Sequence, residues 1–232
     1  MSAQLPLAFR FAPDQGIAAF HGNPELCALL GAIATGHATD WLYLAGPTGS
    51  GKTHLLLAAC AQARASGSDA SFLPMAALAG RLGDALAGHA RAALVCLDGL
   101  EAIAGRPDDE LALFHFHNAA RDAGTRVLYS AAAMPAALPL ALPDLRSRLE
   151  QCTRIALDPL DEPGRREVLR QRAARRGLEL DEAVLDYLFR RVGRDLGSLT
   201  VLLDRLDQAS LAAQRRLTVP FLRAQLGPDA ES

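Results

Sequence analysis

The sequence predicts an α/β chain: a parallel five-stranded sheet flanked by helices, followed by a small all-helical domain. Three observations carry that expectation. An apolar run from Trp41 reads as a buried strand and leads directly into Gly46-Pro47-Thr48-Gly49-Ser50-Gly51-Lys52-Thr53-His54, after which an Ala- and Leu-rich helix follows. Short apolar runs then alternate with helical stretches as far as Leu157, the pattern of a parallel sheet whose ligands gather at the carboxyl ends of the strands. From Asp158-Pro159-Leu160-Asp161 onward only helical periodicity remains.

Taken in order, Leu5, Leu7 and Phe9 alternate in an extended start in which Pro6 keeps Leu5 out of the helical region. Pro24 to Ala34 reads as an apolar helix that precedes the first strand. Gly46, Gly51, Lys52 and Thr53 then match the G-x-x-x-x-G-K-[ST] phosphate loop, in the strand-then-helix setting that the motif needs. Its glycines let the backbone fold around phosphates and turn N–H groups inward, and the start of the helix, read from Leu55 to Arg64, adds a positive dipole end. Lys52, the only lysine in the chain, would reach the outer phosphates, and the Thr53 hydroxyl would ligate Mg²⁺. Gly46 through His54 are therefore the expected nucleotide-binding residues.

Ala70 to Leu73 reads as a short second strand, and Leu94-Val95-Cys96-Leu97 as a third that ends at Asp98. Four apolar residues closing on a carboxylate form the Walker B pattern, so Asp98 is the expected second Mg²⁺ residue beside Thr53. A helix from Asp108 to Ala123 follows, then a strand from Arg126 to Ser130 that ends in a hydroxyl. Residues 142–149 come after a proline-punctuated loop and receive no element; Thr153 to Leu157 is the fifth strand. Helices are expected over Glu162 to Arg176, Glu182 to Val192, Asp195 to Gln214 and Val219 to Leu226, with Asp181 and Thr218 as N-caps and Gly177 and Gly193 as stops.

Composition narrows the function classes. A net charge of −2 gives bulk electrostatics no pull toward nucleic acid. Cys27, Cys60, Cys96 and Cys152 are scattered without C-x-x-C spacing, and His115 and His117 face different ways on a helix, so neither a disulfide framework nor a metal site other than Mg²⁺ is expected. With no signal-like start, and with Pro135 and Pro139 breaking the longest uncharged stretch, the expected location is the cytoplasm and no membrane span is foreseen.

With these residues assembled, the chain resembles the AAA+ domain of the replication initiator DnaA, and within that group the DnaA regulatory inactivator family. The resemblance rests on Gly51 to Leu56, Leu94 to Gly105, Leu142 to Leu149, Gly193 to Leu196 and Ala213 to Phe221. It implies a bound ADP or ATP with Mg²⁺, Ser130 as sensor 1, Arg194 as sensor 2 on the lid, and Arg148 as an arginine finger reaching the nucleotide of a neighbouring subunit. Whether Arg146 shares that role stays open. Gln4-Leu5-Pro6-Leu7 is similar to the clamp-binding peptide of that family, so Gln4, Leu5, Leu7 and Phe9 are the implied contacts to the sliding clamp, the β subunit of DNA polymerase III. The implied organisation is a clamp peptide at 1–10, an AAA+ domain at 11–158 and a lid at 159–232. The implied partners are DnaA and the clamp; homo-oligomerisation is left open, and the lack of a helix-turn-helix domain argues against sequence-specific DNA binding.

One departure bears on activity. Gly99 stands where AAA+ enzymes usually carry a carboxylate that orients water, so intrinsic ATP hydrolysis is expected to be slow. The implied function is stimulation of hydrolysis on DnaA, a brake on replication initiation. A self-contained ATPase such as a helicase loader, and a nucleotide-binding adaptor with no hydrolytic role, are the alternatives.

Overall fold

A computed structural model describes residues 16–192, 196–213 and 217–226. The chain divides into two compact units, with the boundary between Asp158 and Pro159.

In the first unit, helix α1 (Pro24–Thr35) begins where the Asn23 side chain accepts the Leu26 N–H at 2.9 Å, and it ends at Gly36 with φ 84°. Strand β1 (Leu42–Ala45), helix α2 (Lys52–Ala65) and strand β2 (Ala70–Pro74) follow. Two helices too short for periodicity to reveal, α3 (Met75–Leu78) and α4 (Leu82–Leu86), lead to β3 (Leu94–Asp98). Helix α5 (Pro107–Asp122), strand β4 (Arg126–Ala131), helix α6 (Pro143–Glu150) and strand β5 (Thr153–Ala156) complete the unit. The five strands are all parallel in the order β2-β3-β4-β1-β5. The central strands β1 and β4 are buried at every residue, as continuous apolar runs covered on both faces must be.

Two findings refine the sequence reading. Helix α2 starts at Lys52 rather than Leu55, so Lys52, Thr53 and His54 form its first turn. Residues 143–150 form α6, with Pro143 in the first turn, where a missing N–H costs nothing.

The period-2 alternation of strand side chains sorts the helices into two layers. Leu42, Leu44, Cys96 and Leu128 pack with Leu26, Leu30 and Ile33 of α1 and with Leu55, Leu56 and Ala59 of α2. Tyr43, Val95, Val127 and Tyr129 pack with Leu113 and Phe116 of α5 and with Leu145 and Leu149 of α6. The phosphate-loop helix and α6 thus lie on opposite faces of the sheet.

The second unit has helices α7 (Glu162–Arg175), α8 (Glu182–Val192), α9 (Leu196–Ala213) and α10 (Val219–Leu226). Asp181 accepts the Val184 N–H at 2.7 Å and Thr218 the Phe221 N–H at 3.4 Å, while Gly177 closes α7 at φ 73°. Leu199, Leu202, Leu203 and Leu206 are buried in this unit's own core, with Leu169, Leu185, Leu188 and Leu222. Gly193 lies outside the described residues. No described helix is long and apolar enough to cross a membrane.

Candidate nucleotide site and a separate arginine helix

Strand β1 delivers the chain to Gly46, whose N–H donates to the Ala131 carbonyl at 3.1 Å. A Cβ at Gly46 would lie 2.2 Å from the Leu157 carbonyl oxygen and 2.8 Å from Ser50 Oγ, so no other residue fits without moving backbone. Gly49 and Gly51 take φ of 84° and 89°, and Gly51 passes the chain into α2 with no side chain capping the helix. The dipole at the start of α2 favours an anion. Pro47, Thr48 and Gly49 form the exposed tip of the loop, and Ser50 is buried beneath it.

Lys52 Nζ donates to the carbonyl oxygens of Gly46 at 2.6 Å and Pro47 at 2.8 Å, and to Ser50 Oγ at 3.3 Å. Burial pushes its pKa down, and the nearby Glu101 and Asp98 partly offset this. Thr53 Oγ1 donates to Asp98 Oδ2 at 2.9 Å, and Ser130 Oγ donates to Asp98 Oδ1 at 2.5 Å. The Gly99 N–H in turn reaches Ser130 Oγ at 2.9 Å and the Ser130 carbonyl at 3.1 Å. The two motif carboxyl and hydroxyl groups, Asp98 and Thr53, are thus joined, and Ser130 is joined to Asp98 and to the residue after it, Gly99. Gly99 has φ 83°, a left-handed position that Glu adopts reluctantly. Glu101 accepts the Ala132 N–H at 2.9 Å, so one of its oxygens already serves the end of β4.

Phe20 belongs to this site, and no local motif announced it. Its ring lies 2.6 Å from where a Gly51 Cβ would stand and stacks on His54, with centroids 6.4 Å apart. The only signal is an aromatic residue before a capped helix. Chain folding, and not spacing, brings it to the phosphate loop.

Arg148 is elsewhere. It sits in the last turn of α6, just before Thr153, whose N–H donates to the Trp41 carbonyl at the start of β1. Gly46 lies past the other end of β1, whose four residues span roughly 13 Å at the usual strand rise. Arg148 therefore stands at the opposite end of the sheet from the phosphate loop and in the opposite layer. Among the described residues no hydrogen bond or ion pair holds its guanidinium. Arg146 is engaged instead: its Nη2 donates to the Leu140 carbonyl at 2.7 Å. Beside Arg148, His117 is fully buried, with Nδ1 3.0 Å from the Tyr129 hydroxyl and its ring edge-on to Trp41 at 4.5 Å. Burial, with help from the Arg121 and Arg148 charges, lowers its pKa to about 4. Among the described residues no group of three or more His, Cys, Asp or Glu side chains is placed to hold a metal. Arg194, Gln4, Leu5, Leu7 and Phe9 lie outside the described residues.

Known proteins share this architecture. Residues 162–226 match the family described as Hda, lid domain. The structure resembles domain III of DnaA from Thermotoga maritima with a TM-score of 0.74 and 20% identity, covering 95% of this chain and 99% of that one. The family match falls within the helical unit, and the chain as a whole shares the fold of DnaA domain III. AMPPCP-bound DnaA from Aquifex aeolicus matches with a TM-score of 0.66 and 20% identity, over 82% of this chain and 63% of that one. A RuvB variant from Thermotoga maritima matches at 0.63 and 17%, over 91% and 71%.

Proposed function

We propose that this protein is an Hda/DnaA-like nucleotide-binding regulator of replication initiation that supplies Arg148 to ATP held by DnaA. The observation that carries the reading is the position of Arg148: an unpaired guanidinium at the far end and on the far face of the sheet from its own phosphate loop. A cation placed there has no use for the chain's own nucleotide, and every use for one presented by a neighbour. Planar and permanently charged, a guanidinium can engage two phosphate oxygens and neutralise charge that develops during phosphoryl transfer.

The chain's own site fits ADP or ATP with Mg²⁺. The glycine-lined turn and uncapped start of α2 would hold the phosphates, Lys52 would turn from its backbone carbonyls toward them, and Thr53 with Asp98 would hold the metal. Mg²⁺ would neutralise phosphate charge there. AMPPCP in the DnaA of Aquifex aeolicus supports the same use of this fold. Gly99 offers no carboxylate to orient water and Glu101 is tied to Ala132, so nucleotide in this site sets conformation more than it turns over. Ser130, bonded to Asp98, is suited to register the outer phosphate, and Arg194 to couple the lid to it. The first ten residues, through Gln4, Leu5, Leu7 and Phe9, would tether the protein to the sliding clamp, bringing Arg148 to DnaA where replication is under way.

The test is single-turnover hydrolysis of labelled ATP on DnaA, with DNA-loaded clamp and with wild type, Arg146→Ala, Arg148→Ala or Arg148→Lys. Fingers supplied in trans are worth about 10³–10⁵ in rate in GTPase systems. Arg148→Ala is expected to lose stimulation while keeping ADP and clamp binding, and Arg148→Lys to restore little. Full stimulation by Arg148→Ala would refute the proposal.

A further inference from the structure

Glu110 is a glutamate with no exposed surface, on the first turn of α5. Burying a carboxylate is costly unless hydrogen bonds repay the lost water. Here three backbone N–H groups do so: Gly105 at 2.7 Å and Ala141 at 3.0 Å on Oε1, and Leu142 at 2.7 Å on Oε2. Those donors come from two segments far apart in sequence. Gly105 closes the turn that follows Asp98, while Ala141 and Leu142 are the last residues before α6. Leu142 is the N-cap of α6, and Glu110, from another helix, accepts the N–H of that residue and of the one before it.

From this geometry we infer that Glu110 is the positioning residue of the arginine helix: it fixes the start of α6 against the turn that follows Asp98, and so sets where Arg148 points. The inference rests on the proposed role of Arg148 in trans. The lever is short. Arg148 lies six residues beyond Leu142, about 9 Å along a helix, so a tilt of roughly 6° displaces its turn by about 1 Å. Errors of that size in a reacting geometry can cost about 10²-fold in rate. The neighbouring Asp109 performs a different task. It holds the Gly80 N–H at 2.6 Å and the Leu82 N–H at 3.1 Å, and pairs with Arg106, which fixes the joint between α3 and α4.

Glu110→Gln is the discriminating change because it keeps volume and alters only the acceptors. A glutamine has one acceptor oxygen and one donor amide. If its oxygen serves Gly105 and Ala141, its NH₂ meets the Leu142 N–H, donor against donor, at the start of α6. The experiment measures amide exchange by NMR, ADP affinity, and stimulated hydrolysis on ATP-loaded DnaA, in the wild-type and Arg148→Ala backgrounds. Glu110→Gln is expected to speed exchange at Ala141 and Leu142 at least tenfold, hold ADP affinity within about twofold, and reduce stimulation about 10–100-fold. In the Arg148→Ala background it should produce no further loss, because the two changes remove one contribution.

Unchanged exchange at Leu142, wild-type stimulation by Glu110→Gln, or a full additional loss on top of Arg148→Ala each overturns the positioning role. If Arg148→Ala itself stimulates normally, the finger reading fails, and the positioning role falls with it. If Arg148→Ala loses stimulation while Glu110→Gln keeps it, only the positioning role fails. Should Glu110→Gln not bind ADP, Glu110→Asp carries the same comparison: it keeps the charge and draws the oxygens back by one methylene, so exchange at Leu142 should still quicken.

Discussion

Ser130→Ala removes a single oxygen from the middle of the site. That oxygen, fully buried, donates to Asp98 Oδ1 at 2.5 Å and accepts the Gly99 N–H at 2.9 Å. The Gly99 N–H keeps a partner after the change, because the Ser130 carbonyl also accepts it at 3.1 Å. What is lost is a hydrogen bond to a charged acceptor, worth about 1.5–3 kcal/mol. Asp98 is half-buried, so water recovers part of that, and about 1–2 kcal/mol is the expected net cost. With an m-value of about 2 kcal/mol per M in urea, the midpoint should fall by roughly 0.5–1 M. Trp41 makes the assay specific. It is the only tryptophan in the chain, lies in the α/β unit and donates through Nε1 to the Thr125 carbonyl at 2.9 Å. Its fluorescence therefore follows that unit's unfolding and not the lid's. A midpoint shift below about 0.2 M, in a variant that folds and binds ADP, would show that Ser130 and Asp98 do not hold each other as the geometry has it.

Three further outcomes are expected. Lys52→Ala removes a charged phosphate contact worth about 1.5–3 kcal/mol, so calorimetry should show ADP affinity falling about tenfold or more; unchanged affinity would dismiss the phosphate site. Gln4→Ala with Leu5→Ala should abolish co-elution with the clamp and leave ADP binding intact, since burying one leucine is worth about 1.5–3 kcal/mol; persisting co-elution would move the clamp contact elsewhere. His117 should make acid destabilising. Its pKa is lowered to about 4, so between that value and the ordinary value near 6.5 the unfolded chain binds a proton that the folded chain does not, and stability falls as pH drops through the window by up to about 3 kcal/mol. His117→Phe should flatten that slope in urea titrations followed by Trp41, and an unaltered slope would exclude the assignment.

What the sequence disclosed follows from how local each signal is. The phosphate loop is nine consecutive residues, Asp98 ends β3 and Ser130 stands one residue before the end of β4, so a rule about strand ends suffices to bring them together. Phe20 could not be placed this way, because only the packing of α1 and the preceding turn against α2 carries it to Gly51 and His54. Helix α6 escaped for another reason. Its eight residues are too few for a clear period, and Pro139 and Pro143 read as loop punctuation although Pro143 opens the helix. Helices α3 and α4, with four and five residues, lie below any periodic signal. Glu110 was hidden among Asp108, Asp109 and Glu110, three acidic residues that look like an ordinary charged first turn. Only burial separates the last two from the first.

The placement of Arg148 far from the phosphate loop raises the question of how one site could inform the other. The turn after Asp98 offers a direct route between them. Its first residue, Gly99, is bonded to Ser130; Glu101 holds the Ala132 N–H at the end of β4; and its last, Gly105, shares Glu110 Oε1 with Ala141. A shift of Asp98 on binding Mg²⁺ and nucleotide would therefore pull on seven residues whose far end is fastened to the start of α6. The comparison that bears on it is ADP against ATP: if the turn transmits, the two nucleotides should change amide exchange at Leu142 by different amounts in wild type and by equal amounts in Glu110→Gln. Equal protection at Leu142 with both nucleotides in wild type would mean that Arg148 is held in one position regardless of what the phosphate loop binds.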